Sequence, residues 1–353
     1  MTANTDKMRA VAITGINQIE IIEMTRPVPR EGEILIRVHA CALCTWEQRV
    51  FTGVKKLPLP HVGGHEISGT IVELGEGVDP TRFPVGSKAA GRTLGTCGSC
   101  YYCRRGLPTQ CIHTGKLRYN GPEAYGVGGF GEYISLPESA VWCFDTDKDF
   151  PELSLTEPLA CVLNSIDRAQ PGLGDDAVVI GGGIMGQLHI MLFKKMGLRT
   201  ILSEPDPVRR AFAKDHGCDI LIDPTKEDAV QRVKDLTGGR GADVVINTTA
   251  ISSVMEQAVA MTARLGRCVA YSSQHPDQPI PVSPNWLHNT EAVLTGAVNP
   301  SIASFDRAVN LLNKGIIDVK DYISGIYPME QAQQAFEAAI RPDTYRIVIT
   351  MDR

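Results

Sequence analysis

Ala177-Val178-Val179-Ile180-Gly181-Gly182-Gly183-Ile184-Met185-Gly186 is the stretch on which the reading of this chain turns. Four apolar residues read as a buried strand, and the glycines that follow read as a turn into a helix. An apolar, helix-like run continues to Gly197, and Thr200-Ile201-Leu202-Ser203-Glu204 reads as a second strand with an acid at its end. Gly181, Gly183 and Gly186 fill the pattern G-x-G-x-x-G inside one βαβ unit, the fingerprint of a dinucleotide site. Gly181 permits the tight turn, Gly183 lets the backbone approach a pyrophosphate, and Gly186 lets the helix pack close to the strand. The helix start at Ile184 and Met185 offers N–H groups and a positive dipole end to phosphates. Glu204 falls where an acid takes the ribose hydroxyls. A glycine-rich turn alone is weak; strand, helix and acid in sequence give it weight.

Working outward, strand-like runs at 219–222, 243–246, 267–270 and 293–295 alternate with helical windows at 208–216, 226–236 and 252–263. That alternation is an α/β pattern, a doubly wound parallel sheet. Ligands in such sheets sit at the carboxyl ends of strands, which brings in Thr248 and Thr249 and then Tyr271 and Ser272. Upstream, residues 8–145 look β-rich. Ile34, Ile36, Val38 and Ala40 alternate like a half-buried strand, and 67–74 and 130–134 read as further short strands. Recurrent glycine and proline make this a small barrel-like domain with long loops. After Gly296 come helical windows at 304–312 and 331–339 and a closing strand at 345–350. This tail is expected to fold back onto the first domain. The expected division is 1–155 with 298–353, and 156–297.

The chain has 353 residues and a net charge of −5, without a basic run or stripe, so no nucleic-acid partner is expected. Residues 1–9 are polar and carry no apolar signal core, and no apolar run is long enough to span a membrane. Ten cysteines without a secretory signal point to a reducing cytoplasm, where clustered thiols bind metal more often than they form disulfides. Cys97, Cys100, Cys103 and Cys111 have the spacing C-x2-C-x2-C-x7-C. Four thiolates surround one Zn²⁺ tetrahedrally and leave no open position, the mark of a structural site in a loop at about 93–115. The first three cysteines also resemble an iron–sulfur run, but the fourth comes too late and Ile112, not proline, follows it.

Three further pieces are weak singly: Cys41-Ala42-Leu43-Cys44-Thr45-Trp46-Glu47, Gly63-Gly64-His65-Glu66, and Thr156-Glu157-Pro158-Leu159-Ala160. A lone cysteine or histidine usually packs, and Glu-Pro usually starts a helix. Together they supply one S, one N and one or two carboxylate ligands, and catalytic zinc commonly takes three protein ligands plus an open position.

With the four-cysteine loop, the glycine turn and Gly238-Gly239-Arg240-Gly241-Ala242-Asp243, these pieces resemble the zinc-dependent medium-chain dehydrogenases, most closely their polyol (sorbitol-like) and threonine dehydrogenase branch. The resemblance covers nearly the whole chain. It implies a GroES-like catalytic domain, discontinuous in sequence, a Rossmann domain, and a cleft between them. It implies two zinc ions per chain, one structural and one catalytic, the latter held by Cys44 and His65 with Glu66 or Glu157. It also implies nicotinamide contacts near Val298, and a homodimer or homotetramer. The reaction implied is reversible hydride transfer between a secondary alcohol and a nicotinamide, with zinc as Lewis acid. The substrates expected are polyols, sugar alcohols or sugar acids, with L-threonine as the rival. A zinc-free reductase on this fold lacks the metal-site residues, and a non-enzymatic zinc-stabilised dinucleotide binder is the reading from another class.

One departure stands out. The family usually continues its cysteine as Cys-x-Ser/Thr-Asp, and the hydroxyl relays the substrate proton. Here that position is Trp46, Thr45 comes one residue early, Glu47 replaces the aspartate, and Arg49 stands where many relatives carry a histidine. Water on the metal, Glu66 or Thr45 is expected to carry the proton instead, and Trp46 either lines the substrate pocket or packs in the core. Glu204 favours NAD over NADP because it repels a 2′-phosphate; Arg209 and Arg210 either soften that preference or belong to a solvated helix start. The substrate-lining stretches are expected at 55–60, 119–127 and 286–288. His39, His61, His113, His189, His216, His275 and His288 show no partner pattern.

Overall fold

The first described element is a hairpin. β1 (Lys7–Gly15) pairs antiparallel with β2 (Gln18–Thr25), and Asn17 takes the left-handed φ of 57° that so tight a turn requires. β3 (Glu33–Ala42) leads through α1 (Thr45–Phe51) to β4 (Glu66–Leu74) and β5 (Lys88–Arg92). The short helix α2 (Tyr101–Arg104), β6 (Tyr133–Pro137), β7 (Val141–Cys143), α3 (Phe150–Ser154) and α4 (Thr156–Ala169) follow. The next segment alternates strictly: β8 (Asp176–Ile180), α5 (Ile184–Lys195), β9 (Arg199–Ser203), α6 (Pro207–Asp215), β10 (Ile220–Ile222), α7 (Ala229–Leu236), β11 (Ala242–Asn247), α8 (Ser252–Met261), β12 (Thr262–Ala270), α9 (Pro284–Thr290) and β13 (Val293–Gly296). The tail is α10 (Ile302–Asn313), β14 (Ile323–Pro328), α11 (Ala332–Ala339) and β15 (Arg346–Thr350).

This computed structural model describes residues 7–114, 123–274 and 276–351. It divides into two units, Met1–Ala160 with Ser301–Arg353, and Cys161–Pro300. The boundaries fall inside α4 and just before α10, a few residues beyond those expected from the composition shift. His275 and the first part of the 119–127 stretch lie outside the described residues.

In the first unit the sheet order is β14-β15-β3-β4-β5-β7, with β6 also paired to β3. β15 lies antiparallel to β3 with Val348 opposite Ala42, so the tail does return to the first domain. β3 is not half-buried as its alternation implied. Leu35 and Cys41, on the face opposite the expected core positions or beside them, are also fully buried. α3 packs on β3 and β4 and covers that second face, with Phe150 stacked on His39. The strand expected at 130–134 begins later, at Tyr133. Gly129 occupies a close crossing where a Cβ would lie 2.1 Å from Gly64 O, and that segment runs as a loop.

In the second unit all six strands are parallel, in the order β10-β9-β8-β11-β12-β13. Numbered along the chain this is 3-2-1-4-5-6, the doubly wound order of a Rossmann sheet. Its core holds Val178, Ile201, Ile222, Val245 and Cys268 from successive strands. The order reverses between β8 and β11, and the glycine turn after β8 lies at that switch point. No described helix is long and apolar enough to cross a membrane.

Candidate active site

Strand register brings the first constellation together. Ala42, at the end of β3, pairs with Glu66, the first residue of β4. Cys44 follows two residues after Ala42 as the N-cap of α1, in extended conformation, while His65 directly precedes β4. One ligand atom each from Cys44, His65 and Glu66 lies within 4.8 Å of the others. Gly64 turns the chain between them with φ +85°. A side chain there would collide with Phe130 N at 2.7 Å and Cys41 Sγ at 2.8 Å.

Each member is held from behind. Glu47, buried one turn into α1, accepts a hydrogen bond from the Gly64 N–H at 3.1 Å, and its Oε1 lies 2.8 Å from His65 Nδ1. That contact fixes Nδ1 as the protonated nitrogen and leaves Nε2 for a cation. Glu47 therefore holds His65 in its orientation. Glu66 Oε1 accepts from Arg346 Nη2 at 2.5 Å, and Arg346 Nη1 donates to Leu43 O at 3.2 Å. Arg346 opens β15, whose register sets it beside the end of β3. Glu66 is fully buried, and among the described residues its Oε2 has no hydrogen-bond partner.

Electrostatics follow from this packing. Burial pushes the Glu66 carboxyl up to about 7, with Arg346 opposing and Glu157 adding to it. Burial opposes the His65 imidazolium, but Glu47 and Cys44 outweigh it and hold its pKa well above the ordinary value. Burial likewise raises the Cys44 thiol, against the pull of His65. Burial works against the Glu47 carboxylate, yet His65 holds its pKa low. Glu47, Glu66 and Glu157 are all buried, and Arg346 is the buried full cation among them. A thiolate, an imidazole and an unpartnered carboxylate oxygen in such an acid-rich place fit a divalent cation such as Zn²⁺.

Of the other expected residues, Glu157 lies in the first turn of α4, outside the trio but close enough to act on Glu66 and Arg346. Thr45 is exposed on α1, and none of the described residues hydrogen-bonds its side chain. Trp46 is half-buried against the core cluster, and its ring meets His65 edge-on at 6.4 Å.

Cys97, Cys100, Cys103 and Cys111 also converge within 4.8 Å, as their spacing predicts. Among the described residues no two cysteines form a disulfide, and Cys97 Sγ and Cys111 Sγ stand 3.7 Å apart, too far for one. Backbone N–H groups of Cys97 and Cys100 point at sulfur, at 3.4 and 3.3 Å. The Ser99 hydroxyl brings Cys97 down to about 6, while burial sends Cys103 up to about 12. Crowded thiols cannot all ionise unaided; a bound cation allows it, so this set fits a closed zinc site.

In the second unit the glycine turn has the geometry its spacing demands. Gly181 has φ +97°, and a Cβ there would meet Thr248 Oγ1 at 2.6 Å. A Cβ on Gly186 would lie 1.9 Å from Gly181 O, the close helix–strand contact. Gly183 is the N-cap of α5, with no side-chain cap, and a Cβ there would meet no atom closer than 3.9 Å. Glu204 Oε2 accepts the Gly182 N–H at 2.5 Å and Oε1 accepts the Asp206 N–H at 2.8 Å, so the acid is tied to the turn. Arg210 is committed to Glu204 O and Asp223, whereas Arg209 Nη1 comes within 3.9 Å of a Cβ at Gly183. Thr248 Oγ1 donates to Ile180 O, which makes it a brace of the turn. Tyr271 stands edge-on to His189, and Val298 O accepts from Asn164 Nδ2 at 3.3 Å.

Known proteins share this arrangement. The model for the alcohol dehydrogenase GroES-like domain matches residues 30–146, and that for zinc-binding dehydrogenases matches 185–314. An L-threonine 3-dehydrogenase of Pyrococcus horikoshii is 33% identical over 70% of each chain. The chain belongs to the zinc-dependent medium-chain dehydrogenases. Its relatives place it in the polyol and threonine branch of these oxidoreductases. A 2-dehydro-3-deoxy-L-galactonate 5-dehydrogenase of Pseudoalteromonas atlantica is 29% identical over 93% of this chain and 94% of its own. A sorbitol dehydrogenase of Halalkalibacterium halodurans is 28% identical over 97% and 99%. The solved structure of 2R,3R-butanediol dehydrogenase from Bacillus subtilis shares the fold, with a TM-score of 0.86 at 24% identity, over 98% of this chain and 100% of that one. As a medium-chain dehydrogenase the chain is a zinc-dependent alcohol dehydrogenase using a nicotinamide coenzyme.

The sequence pointed to Cys44, His65 and the four-cysteine loop but not to Arg346. Its signal was available: one arginine heading the apolar run Ile347-Val348-Ile349. A charge at the head of a buried strand needs a partner.

Proposed function

We propose that the chain oxidises a secondary alcohol group of a polyol, sugar alcohol or sugar acid with NAD, reversibly. The observation that carries this reading is the Cys44–His65–Glu66 trio, with its buried carboxylate oxygen left without a partner among the described residues. Zinc at this site supplies Lewis acidity, which makes an alcohol proton easier to lose near neutral pH. Cys44, His65 and Glu66 would hold it, and Glu157 would be the reserve carboxylate if Glu66 turned away. The nicotinamide coenzyme takes up the hydride when bound.

The chain's own groups do the rest. Glu47 holds the Nδ1 proton of His65 and so its orientation. Glu66 rather than Thr45 is the carrier we assign to the alcohol proton, when Glu157 takes its place on the metal and frees Oε2, since among the described residues that oxygen has no hydrogen-bond partner and Thr45 faces solvent. Gly181, Gly183, Ile184, Met185 and Gly186 present backbone to the pyrophosphate, and Glu204 lies where the ribose binds, with Arg209 beside it. Thr248, Tyr271 and Val298 stand at or beyond strand ends nearer the nicotinamide half. NAD is preferred because a 2′-phosphate would meet Glu204.

The 33% identity to a threonine dehydrogenase supports L-threonine as the second reading. The deciding experiment incubates the protein with C4–C6 polyols, aldonates or L-threonine and with NAD or NADP, and follows reduced nicotinamide. Fastest turnover of a polyol or aldonate with NAD is expected; a clear preference for L-threonine would replace the first reading. Thr45→Ala and Glu66→Gln pH–rate profiles test the proton route. An assembly of two or four copies in the cytoplasm completes the proposal, with light scattering as its check.

A further inference from the structure

Trp46 stands between two histidines. Its ring lies 6.4 Å from that of His65 and 5.5 Å from that of His61. His61 is only 5% exposed, and among the described residues neither Nδ1 nor Nε2 has a hydrogen-bond partner. Its backbone is pinned, with N–H and C=O both exchanged with Ile13 at 2.9 Å. Its ring is hemmed by two glycines. A Cβ at Gly63 would lie 3.6 Å from His61 Cδ2 and 3.3 Å from Glu47 Oε1. A Cβ at Gly126, φ +107°, would lie 3.0 Å from His61 Cε1 and collide with Val62 O at 2.2 Å. The imidazole thus sits beside the carboxylate that orients His65, on the Trp46 side of the metal trio.

Burial lowers the His61 pKa, with Glu47 opposing, a shift toward the neutral ring. A neutral imidazole offers one N–H and one lone pair. Proteins rarely leave both a donor and an acceptor buried and unpaired, unless a ligand or water completes them. A hydroxyl both donates and accepts, and a substrate with several of them can satisfy the ring and still offer one to the metal.

We propose that His61, beside Trp46, is the specificity-determining residue that selects a polyhydroxylated substrate by hydrogen-bonding a hydroxyl away from the reacting carbon. This rests on the dehydrogenase reading of the trio. It also gives Trp46 a part: the indole, in place of a small hydroxyl residue, is the flat wall that separates the reacting alcohol from the group His61 holds.

The test measures binding of xylitol, D-galactonate and 2-pentanol to the zinc-loaded full chain by calorimetry, with turnover by NAD recorded in parallel. His61→Leu is expected to weaken xylitol or galactonate about 10-fold or more, while 2-pentanol changes less than about twofold. His61→Gln, which keeps a donor and an acceptor, should recover part of the loss. Both variants should retain the wild-type zinc content and melting temperature. Equal losses for all three ligands, no loss for any, or a wild type that binds neither polar ligand would overturn the assignment. His61-dependent binding without reduced nicotinamide would sink the dehydrogenase reading and leave the assignment standing. Polyol turnover indifferent to His61→Leu would do the reverse.

Discussion

Arg346 Nη2 lies 2.5 Å from Glu66 Oε1, with the two side chains 2% and 0% exposed. The pair ties the last strand to the metal trio and turns the other carboxylate oxygen loose for a ligand. Removing one member of a buried pair costs about 3–5 kcal/mol. Arg346→Met should therefore unfold at markedly lower urea and retain less zinc. Arg346→Met with Glu66→Leu should regain most of the stability and none of the activity. Denaturant titration and metal analysis check both; a single mutant as stable as the parent would show the pair to be idle.

Glu47 acts through His65. Glu47→Gln keeps the size but replaces the carboxylate that anchors the Nδ1 proton, and losing such a partner typically costs about 10–100-fold in metal affinity or activity. Glu47→Asp should fall between, since its shorter arm stretches the 2.8 Å contact. Zinc competition against a chromophoric chelator, with kcat/KM alongside, measures this.

The two metal sites and the coenzyme turn are built from separate residues. Cys103→Ser should remove one zinc per chain and lower the melting temperature, yet leave reduced-nicotinamide binding to residues 181–204 near wild type. Cys44→Ser should abolish turnover, also with coenzyme binding intact. Fluorescence titration of the coenzyme reads both; loss of binding in either would refute the separation.

His189 gives a pH signature for the coenzyme unit. It is fully buried, its Nδ1 lies 2.7 Å from Met185 O, and burial pulls its pKa down to about 4. The unfolded chain takes up that proton near the ordinary value of about 6.5. The stability this group contributes is thus complete above pH 6.5 and drains away as pH falls toward 4, by about 3 kcal/mol. His189→Leu should flatten this limb. The gap in melting temperature between variant and wild type, followed from pH 7.5 to 4.5, should shift in the variant's favour as pH falls.

The coenzyme unit was legible because glycine roles and strand–helix periods are local. Gly181 and Gly186 can be only glycine where they stand, and Val178 to Ile180 can be only a buried strand. The candidate metal trio was half legible. Cys44 and His65 announce themselves by residue type and motif, but the choice between Glu66 and Glu157 depends on a β3–β4 register that no local pattern states. Arg346 and His61 escaped for a related reason. Their significance comes from neighbours far away in sequence, Glu66 for the first and Trp46 for the second. The alternation of β3 misled because the covering helix α3 lies more than a hundred residues downstream.

β15 pairs with β3 across some three hundred positions and carries Arg346 to Glu66. On a ribosome, residues 161–300 are synthesised as one uninterrupted piece and can close early, whereas the metal trio must wait until 303 positions after Leu43 before its arginine arrives. A nascent chain that stops short of β15 can therefore hold coenzyme without assembled chemistry, which ties competence for catalysis to the synthesis of that strand.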